Sequence, residues 1–136
     1  LSKVEHPFIV ELFGHFQDET RLYIVLKYVC GGELFARMRS YSKRFEYNVA
    51  KFYIVEVLTA LEHLHHMNII YRDLKPENIL LNEHGHVVVA DFGFAKLVKD
   101  RTFTVCGTVE FLAPEIIENK GYGKSADYWA LGVLLY

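Results

Sequence analysis

The chain has 136 residues, 51% of them hydrophobic and 15% aromatic, which suits one domain with a packed core and excludes a disordered or low-complexity segment. A formal net charge of −2, with no run of Lys or Arg, leaves no electrostatic footprint for nucleic acid or for an anionic membrane surface. The most apolar stretches, residues 87–90 and 129–136, are far too short to span a bilayer.

In chain order, Leu1-Ser2-Lys3-Val4-Glu5 lacks the basic start and apolar run of a signal peptide. Residues 8–13 and 22–28 are rich in β-branched and aromatic side chains, and the polar residues 17–21 between them predict strand–turn–strand. Both faces of the second strand are apolar, which predicts cover on both sides. Gly31-Gly32 then allows a change of direction. From Tyr47 to Met67 the period becomes helical, with Val49, Tyr53, Val57, Ala60, Leu61 and Leu64 on one stripe. His63, His65 and His66 read as the end of that helix and its solvated face. Ile69-Ile70 begins a short extended piece. Residues 79–81, a turn at 82–85 and residues 86–90 predict a second hairpin. Past Gly93 the chain to Thr108 is polar and mixed, which predicts a long functional loop. Residues 129–136 are helix-forming without a cap or breaker after them, so the chain is read as a segment of a longer one. Cys30 and Cys106, far apart and without metal-ligand spacing, read as two reduced thiols of a cytosolic protein.

The chemistry concentrates in Tyr71-Arg72-Asp73-Leu74-Lys75-Pro76-Glu77-Asn78. Asp73 can accept a hydroxyl proton, and five residues on Asn78 offers a carbonyl oxygen to a hard cation. Lys75 between them is a localised positive charge suited to phosphate. The second hairpin delivers Asp91, followed by Phe92 and the permissive Gly93. Asn78 and Asp91 supply few oxygens, which suits Mg²⁺ shared with substrate phosphates better than a closed Ca²⁺ cage.

Here the chain resembles the eukaryotic protein kinases. Their catalytic-loop Arg-Asp with a following Asn, then Asp-Phe-Gly, then Ala-Pro-Glu occur in order as Arg72-Asp73…Asn78, Asp91-Phe92-Gly93 and Ala113-Pro114-Glu115. Tyr71 before the Arg, Phe94-Ala95-Lys96, and Arg101-Thr102-Phe103-Thr104-Val105-Cys106-Gly107-Thr108 are similar to the basophilic serine/threonine kinases. Within them the likeness is greatest to the cyclic-AMP-dependent kinase catalytic subunits, with the cyclic-GMP-dependent kinases next.

The resemblance implies an incomplete α+β, two-lobe kinase fold. Residues 1–26 would end the N-terminal lobe, 27–33 form the hinge, and 34–136 part of the C-terminal lobe, with the activation segment at 91–115. It implies Mg²⁺ and ATP as cofactors, and transfer of the γ-phosphate to Ser or Thr hydroxyls of proteins with Arg or Lys before the acceptor. Catalysis would rest on Asp73, Lys75 and Asn78, with Asn78 and Asp91 holding Mg²⁺. Leu26, Lys27, Tyr28, Val29, Glu33, Leu80 and Asp91 would bind ATP. Glu33 and Glu77 would meet substrate arginines. Val105, Val109 and Leu112 would seat the residue after the acceptor, with Val109 standing where the family usually has Pro. Thr108 follows the serine/threonine pattern and belongs to the same substrate-binding set. Thr104 would be the activating phosphosite, its phosphate pairing with Arg72 and Lys96. Asp127 would hold the catalytic loop's backbone, and Glu115 would meet an Arg in a later helix. Leu1, Leu12, Phe92 and Tyr71 would stack as an apolar column. A regulatory subunit, a cytoplasmic or nuclear location, and no nucleic-acid or membrane partner complete the expectation. The segment alone would be inactive, and a non-catalytic pseudokinase or a truncated binding fragment is the alternative.

Overall fold

The computed structural model describes residues 4–40 and 44–136, so Leu1 of the expected column lies outside the described residues. Strands β1 (Leu12–Gln17) and β2 (Leu22–Leu26) pair antiparallel. Asp18 closes their turn: its Oδ1 accepts the N–H groups of Thr20 and Arg21, each at 2.8 Å, and its Oδ2 accepts the Tyr23 hydroxyl at 2.9 Å. These donors, the Thr20 amide foremost, hold the Asp18 carboxyl below its ordinary pKa.

Two expectations fail in this hairpin. The first strand starts at Leu12 rather than residue 8, because residues 8–10 pair elsewhere. Val10 N donates to Val89 O (2.9 Å) and Val89 N to Phe8 O (2.8 Å), with Ile9 and Val10 buried. The second strand is not covered on both sides: Leu22 and Ile24 are 63% and 56% exposed. Its strand partner among the described residues is β1, and the two form a two-stranded sheet.

The chain then turns down to helix α1 (Leu34–Ser40), a helix that the sequence pattern did not announce. Gly31 N donates to Leu81 O and Leu81 N to Gly32 O, both at 2.8 Å, tying this turn to the strand that carries Leu81. A Cβ on Gly31 would lie 2.4 Å from Leu81 O, so this approach needs a residue without one. Gly31→Ala is expected to destabilise the fold by about 1–3 kcal/mol; a chemical-denaturation midpoint unchanged from the parent would refute that.

Helix α2 (Tyr47–His66) follows the predicted stripe, with Val57, Ala60, Leu61 and Leu64 wholly buried. Val49 at the stripe's start is 40% exposed. Two polar residues are buried beside the stripe, Glu56 and His65. Glu56 Oε2 accepts Val87 N at 2.9 Å while Oε1 meets His86 Nδ1 at 2.5 Å, stitching α2 to the lower hairpin. His65 was expected on the solvated face; it is buried because its ring meets the carboxylate of Asp127.

At the near end of α2, the His6 and His63 rings lie 4.9 Å apart, and His6 Nδ1 accepts Phe8 N at 3.2 Å. Burial, then the neighbouring His63, lowers the His6 pKa below its ordinary 6.5. The unfolded chain therefore binds the proton more readily. The stability this group contributes is present above about pH 6.5 and lost as pH falls through the lowered folded value. A His6→Gln variant is expected to flatten the acid limb of stability measured from about pH 7 to 5; an unchanged limb would refute this.

Strand β3 (Ile69–Ile70) pairs antiparallel with β6 (Lys96–Leu97), a strand within the stretch expected as loop. Strands β4 (Ile79–Leu81) and β5 (Val87–Val89) form the predicted hairpin. Asn82 Oδ1 caps its turn by accepting the N–H groups of His84 and His86. Helices α3 (Pro114–Ile117) and α4 (Ser125–Leu135) follow, and a small core of Ala113, Ile116, Tyr122 and Ala126 joins them. No helix among the described residues is long and apolar enough to cross a membrane.

Candidate active site

The segment 71–78 is suspended between β3 and β4. Its backbone is held by a buried carboxylate. Asp127, 1% exposed on α4, accepts Tyr71 N at 2.9 Å, Arg72 N at 2.8 Å and meets His65 Nε2 at 2.7 Å. The arrangement keeps Arg72 at φ +72°, a conformation that a non-glycine residue adopts only with support. Tyr71 is fully buried, donates its hydroxyl to Ala90 O, and meets Phe92 edge-on at 5.2 Å between ring centres. Burial first, then the Asp73 and Asp91 charges, pushes that phenol's pKa up.

Asp73 is 3% exposed and carries a converging set of partners. Its Oδ1 accepts the Thr108 hydroxyl at 2.8 Å; its Oδ2 accepts Asn78 Nδ2 at 2.8 Å and Lys75 Nζ at 3.0 Å. Lys75 Nζ also donates to Thr108 Oγ1 at 3.0 Å. Thr108 thus lies between the acid and the cation, brought there by a turn at Gly107. That glycine has φ +102°, and a Cβ on it would lie 2.5 Å from Arg72 O.

Asn78 Nδ2 donates again to Asp73 O at 2.9 Å. With its nitrogen committed to Asp73, the oxygen a cation could use on this side chain is Oδ1. Ala90 N donates to Asn78 O at 2.9 Å, so the residue before Asp91 is fixed to Asn78. Asp91 itself is exposed at φ +53°, its Oδ1 accepting Gly93 N at 3.1 Å. Asn78 and Asp91 are hard oxygen donors on neighbouring backbone and leave most of a cation's shell open, a donor set that fits Mg²⁺ carried with phosphate oxygens.

The remaining site residues are distributed around this centre. Leu26 and Asp91 border a cleft of about 550 Å³ that also holds Leu12, Phe92 and Lys96. Lys27, Tyr28 and Val29 border a different groove of about 610 Å³, beside Asn82 and His84. Glu33 bridges Leu80 through the backbone, placing the start of α1 over β4. Glu33 and Glu77 are exposed, as are Val105 and Val109, while Leu112 is half-buried. Thr104 is exposed. Arg72 reaches Phe94 O at 2.6 Å and the Tyr122 hydroxyl at 3.2 Å, and Lys96 Nζ reaches Thr102 Oγ1 at 3.0 Å. Glu115 Oε1 accepts the Ser125 hydroxyl at 3.2 Å. Sequence reasoning missed His65, Glu56 and Tyr122. Each is a polar residue whose partner is remote in the chain; for Glu56 and His65 a polar position beside the apolar stripe of α2 was an available signal, whereas Tyr122 lies on a turn.

A buried acid joined to a lysine, an asparagine and a threonine, with a second acid delivered by a hairpin, defines a class. Residues 1–136 match the protein kinase domain, and the chain belongs to that family. A family member uses ATP and a divalent metal in general. Over all 136 residues the chain is 57% identical to a cAMP-dependent protein kinase catalytic subunit of Dictyostelium discoideum. It is 55% identical to cAMP-dependent protein kinase type 3 of Saccharomyces cerevisiae and 52% to cAMP-dependent protein kinase catalytic subunit 3 of Drosophila melanogaster. It spans 21%, 34% and 23% of these three relatives' lengths, respectively.

Proposed function

We propose that the whole protein of which this chain forms part is a serine/threonine protein kinase. It transfers the terminal phosphoryl group of ATP to hydroxyls of proteins with basic residues before the acceptor. The observation that carries this reading is the Asp73 carboxylate, buried yet bonded to Thr108, Asn78 and Lys75. In the reaction the substrate hydroxyl oxygen bonds to the terminal phosphorus, the bond to the departing ADP breaks, and Asp73 receives the proton. Lys75 steadies the transferring group as a point charge. Asn78 and Asp91 would hold Mg²⁺, which neutralises phosphate charge when bound.

Leu26, Lys27, Tyr28, Val29, Glu33 and Leu80 form the nucleotide's surroundings in this reading. Exposed Glu33 and Glu77 receive substrate arginines, and Val105, Val109 and Leu112 take the residue after the acceptor. Thr104 is the activating phosphosite, exposed on the segment that Arg72 and Lys96 flank. A regulatory subunit is a fitting partner, given that the relatives are named as catalytic subunits. The 136-residue segment alone is inactive in this reading, since its upper hairpin exposes Phe13, Phe16, Leu22 and Ile24.

The test is phosphate transfer from Mg²⁺-ATP to a peptide with two arginines before a serine, beside the same peptide with alanines there. Transfer that prefers the arginine peptide is expected, and Glu33→Ala with Glu77→Ala should raise its KM roughly tenfold or more. A folded, Thr104-phosphorylated whole protein that transfers nothing would replace this reading with the non-catalytic one.

A further inference from the structure

The turn between α3 and α4 reaches back to the candidate site through one side chain. Tyr122 is 3% exposed. Its hydroxyl donates to Thr104 O at 2.6 Å and accepts Arg72 Nη1 at 3.2 Å, with Cys106 Sγ 3.7 Å away. Its backbone pairs with Thr102 in both directions at 2.9 Å, and the Thr102 hydroxyl accepts Lys96 Nζ. The preceding Gly121 passes so close under Phe103 that a Cβ would lie 2.6 Å from the ring. Residues 102, 103, 104 and 106 therefore all rest on this one turn.

The chemistry of the contacts is directional. Arg72 donates, so the phenol oxygen accepts there and spends its proton on Thr104 O. Burial raises the phenol's pKa, with Arg72 opposing it, which keeps that proton in place at neutral pH. The same guanidinium also donates to Phe94 O at 2.6 Å, and its residue immediately precedes Asp73.

We propose that Tyr122 is a positioning residue: its hydroxyl couples Arg72 to the Thr104 backbone and seats the segment 102–106 on the catalytic loop before residue 104 carries a phosphate. A phosphate on Thr104 gives Arg72 a charged partner stronger than a neutral phenol. The hydroxyl is then redundant. Its kinetic consequence rests on the phosphotransfer reading, whereas the seating itself does not.

The experiment compares the whole protein with its Tyr122→Phe variant, each with Thr104 unmodified and phosphorylated. Amide hydrogen exchange across residues 102–106 is the first readout. The unmodified variant should exchange about 3- to 10-fold faster than its parent there, as expected for one lost hydrogen bond. The phosphorylated pair should match, and the melting temperatures should agree. In kinetics, the unmodified variant should lose kcat by a similar factor with peptide KM retained, and phosphorylation should restore it. A Tyr122→Leu variant, which also loses the ring, should loosen both forms and melt earlier, separating packing from the hydroxyl. Equal exchange in unmodified parent and Tyr122→Phe, or equal loosening of both phosphorylation states, would overturn the proposal. A parent that transfers no phosphate would defeat the kinase reading alone, because exchange still decides the seating.

Discussion

Asp73→Asn in the whole protein is expected to lower kcat for peptide phosphorylation by roughly 10²- to 10⁴-fold, the range for losing a positioned general base. The amide can occupy the same volume but cannot take the substrate's proton. It also disturbs its neighbours in a defined way. If its carbonyl oxygen keeps the Thr108 hydrogen bond, its NH₂ faces Asn78 Nδ2 and Lys75 Nζ, both donors. Three donors then converge where one acceptor had been, so Asn78 is pushed from its position and cation requirement should rise as well. Asp73 lines neither the cleft beside Leu26 nor the groove beside Lys27, Tyr28 and Val29, so under the proposed reading the Kd for ATP should change little. Steady-state kcat and KM for both substrates, with a fluorescence titration of nucleotide, separate these effects. A kcat within about threefold of the parent would remove Asp73 from the role of base, since a positioned base contributes far more than that.

The parts of the fold legible in the sequence were those whose cause is local. Helix α2 was expected over 47–67 and runs Tyr47–His66, because five stripe residues share one buried face with no competing period. The β4–β5 hairpin was legible for the same reason, its apolar triplets flanking Asn82 and Gly85. What failed was non-local. Residues 8–10 have strand-forming side chains, but their partner is Val89, some eighty residues away, and no pattern within the segment specifies that choice. Strand β6 is two residues long and exposed, below any periodicity. His65 looked like a solvated helix position, and Glu56 carried no signal, until their partners, 62 and 31 residues distant, were in view.

The candidate site divides along the same line. Its motifs could be read in order, because Asp73, Asn78 and Asp91 lie near each other in sequence or are joined by one hairpin. Thr108 was expected on the substrate side, and its hydroxyl lies against Asp73, 35 residues earlier. Neither that contact nor the Tyr122 hydroxyl's role at Arg72 follows from any spacing. Both arise from the path of the segment 94–113, which is set by long-range bridges such as Thr102 to Tyr122.

Asp127→Ala is expected to destabilise the fold by about 2–6 kcal/mol, the cost of leaving its two backbone donors unpaired. The carboxylate has three partners, two of them backbone N–H groups with no second acceptor among the described residues. Each buried donor left unpaired costs about 1–3 kcal/mol, and the His65 ring is stranded with them. Against a total stability of about 5–15 kcal/mol, the loss takes a large share and should lower the melting temperature by roughly 10 °C or more. Asp127→Asn keeps one carbonyl oxygen for two N–H groups, so its cost should fall between parent and Ala, giving a folded variant even if Ala unfolds. Glu115→Ala, which removes a single accepted hydroxyl from Ser125 on a more accessible side chain, should cost under about 1 kcal/mol. If Asp127→Asn melts no earlier than Glu115→Ala, the carboxylate does not hold the loop. If it melts earlier and kcat falls with it, the left-handed Arg72 is held by Asp127 against its own preference, and the position of Asp73 is set from helix α4, more than fifty residues further along the chain.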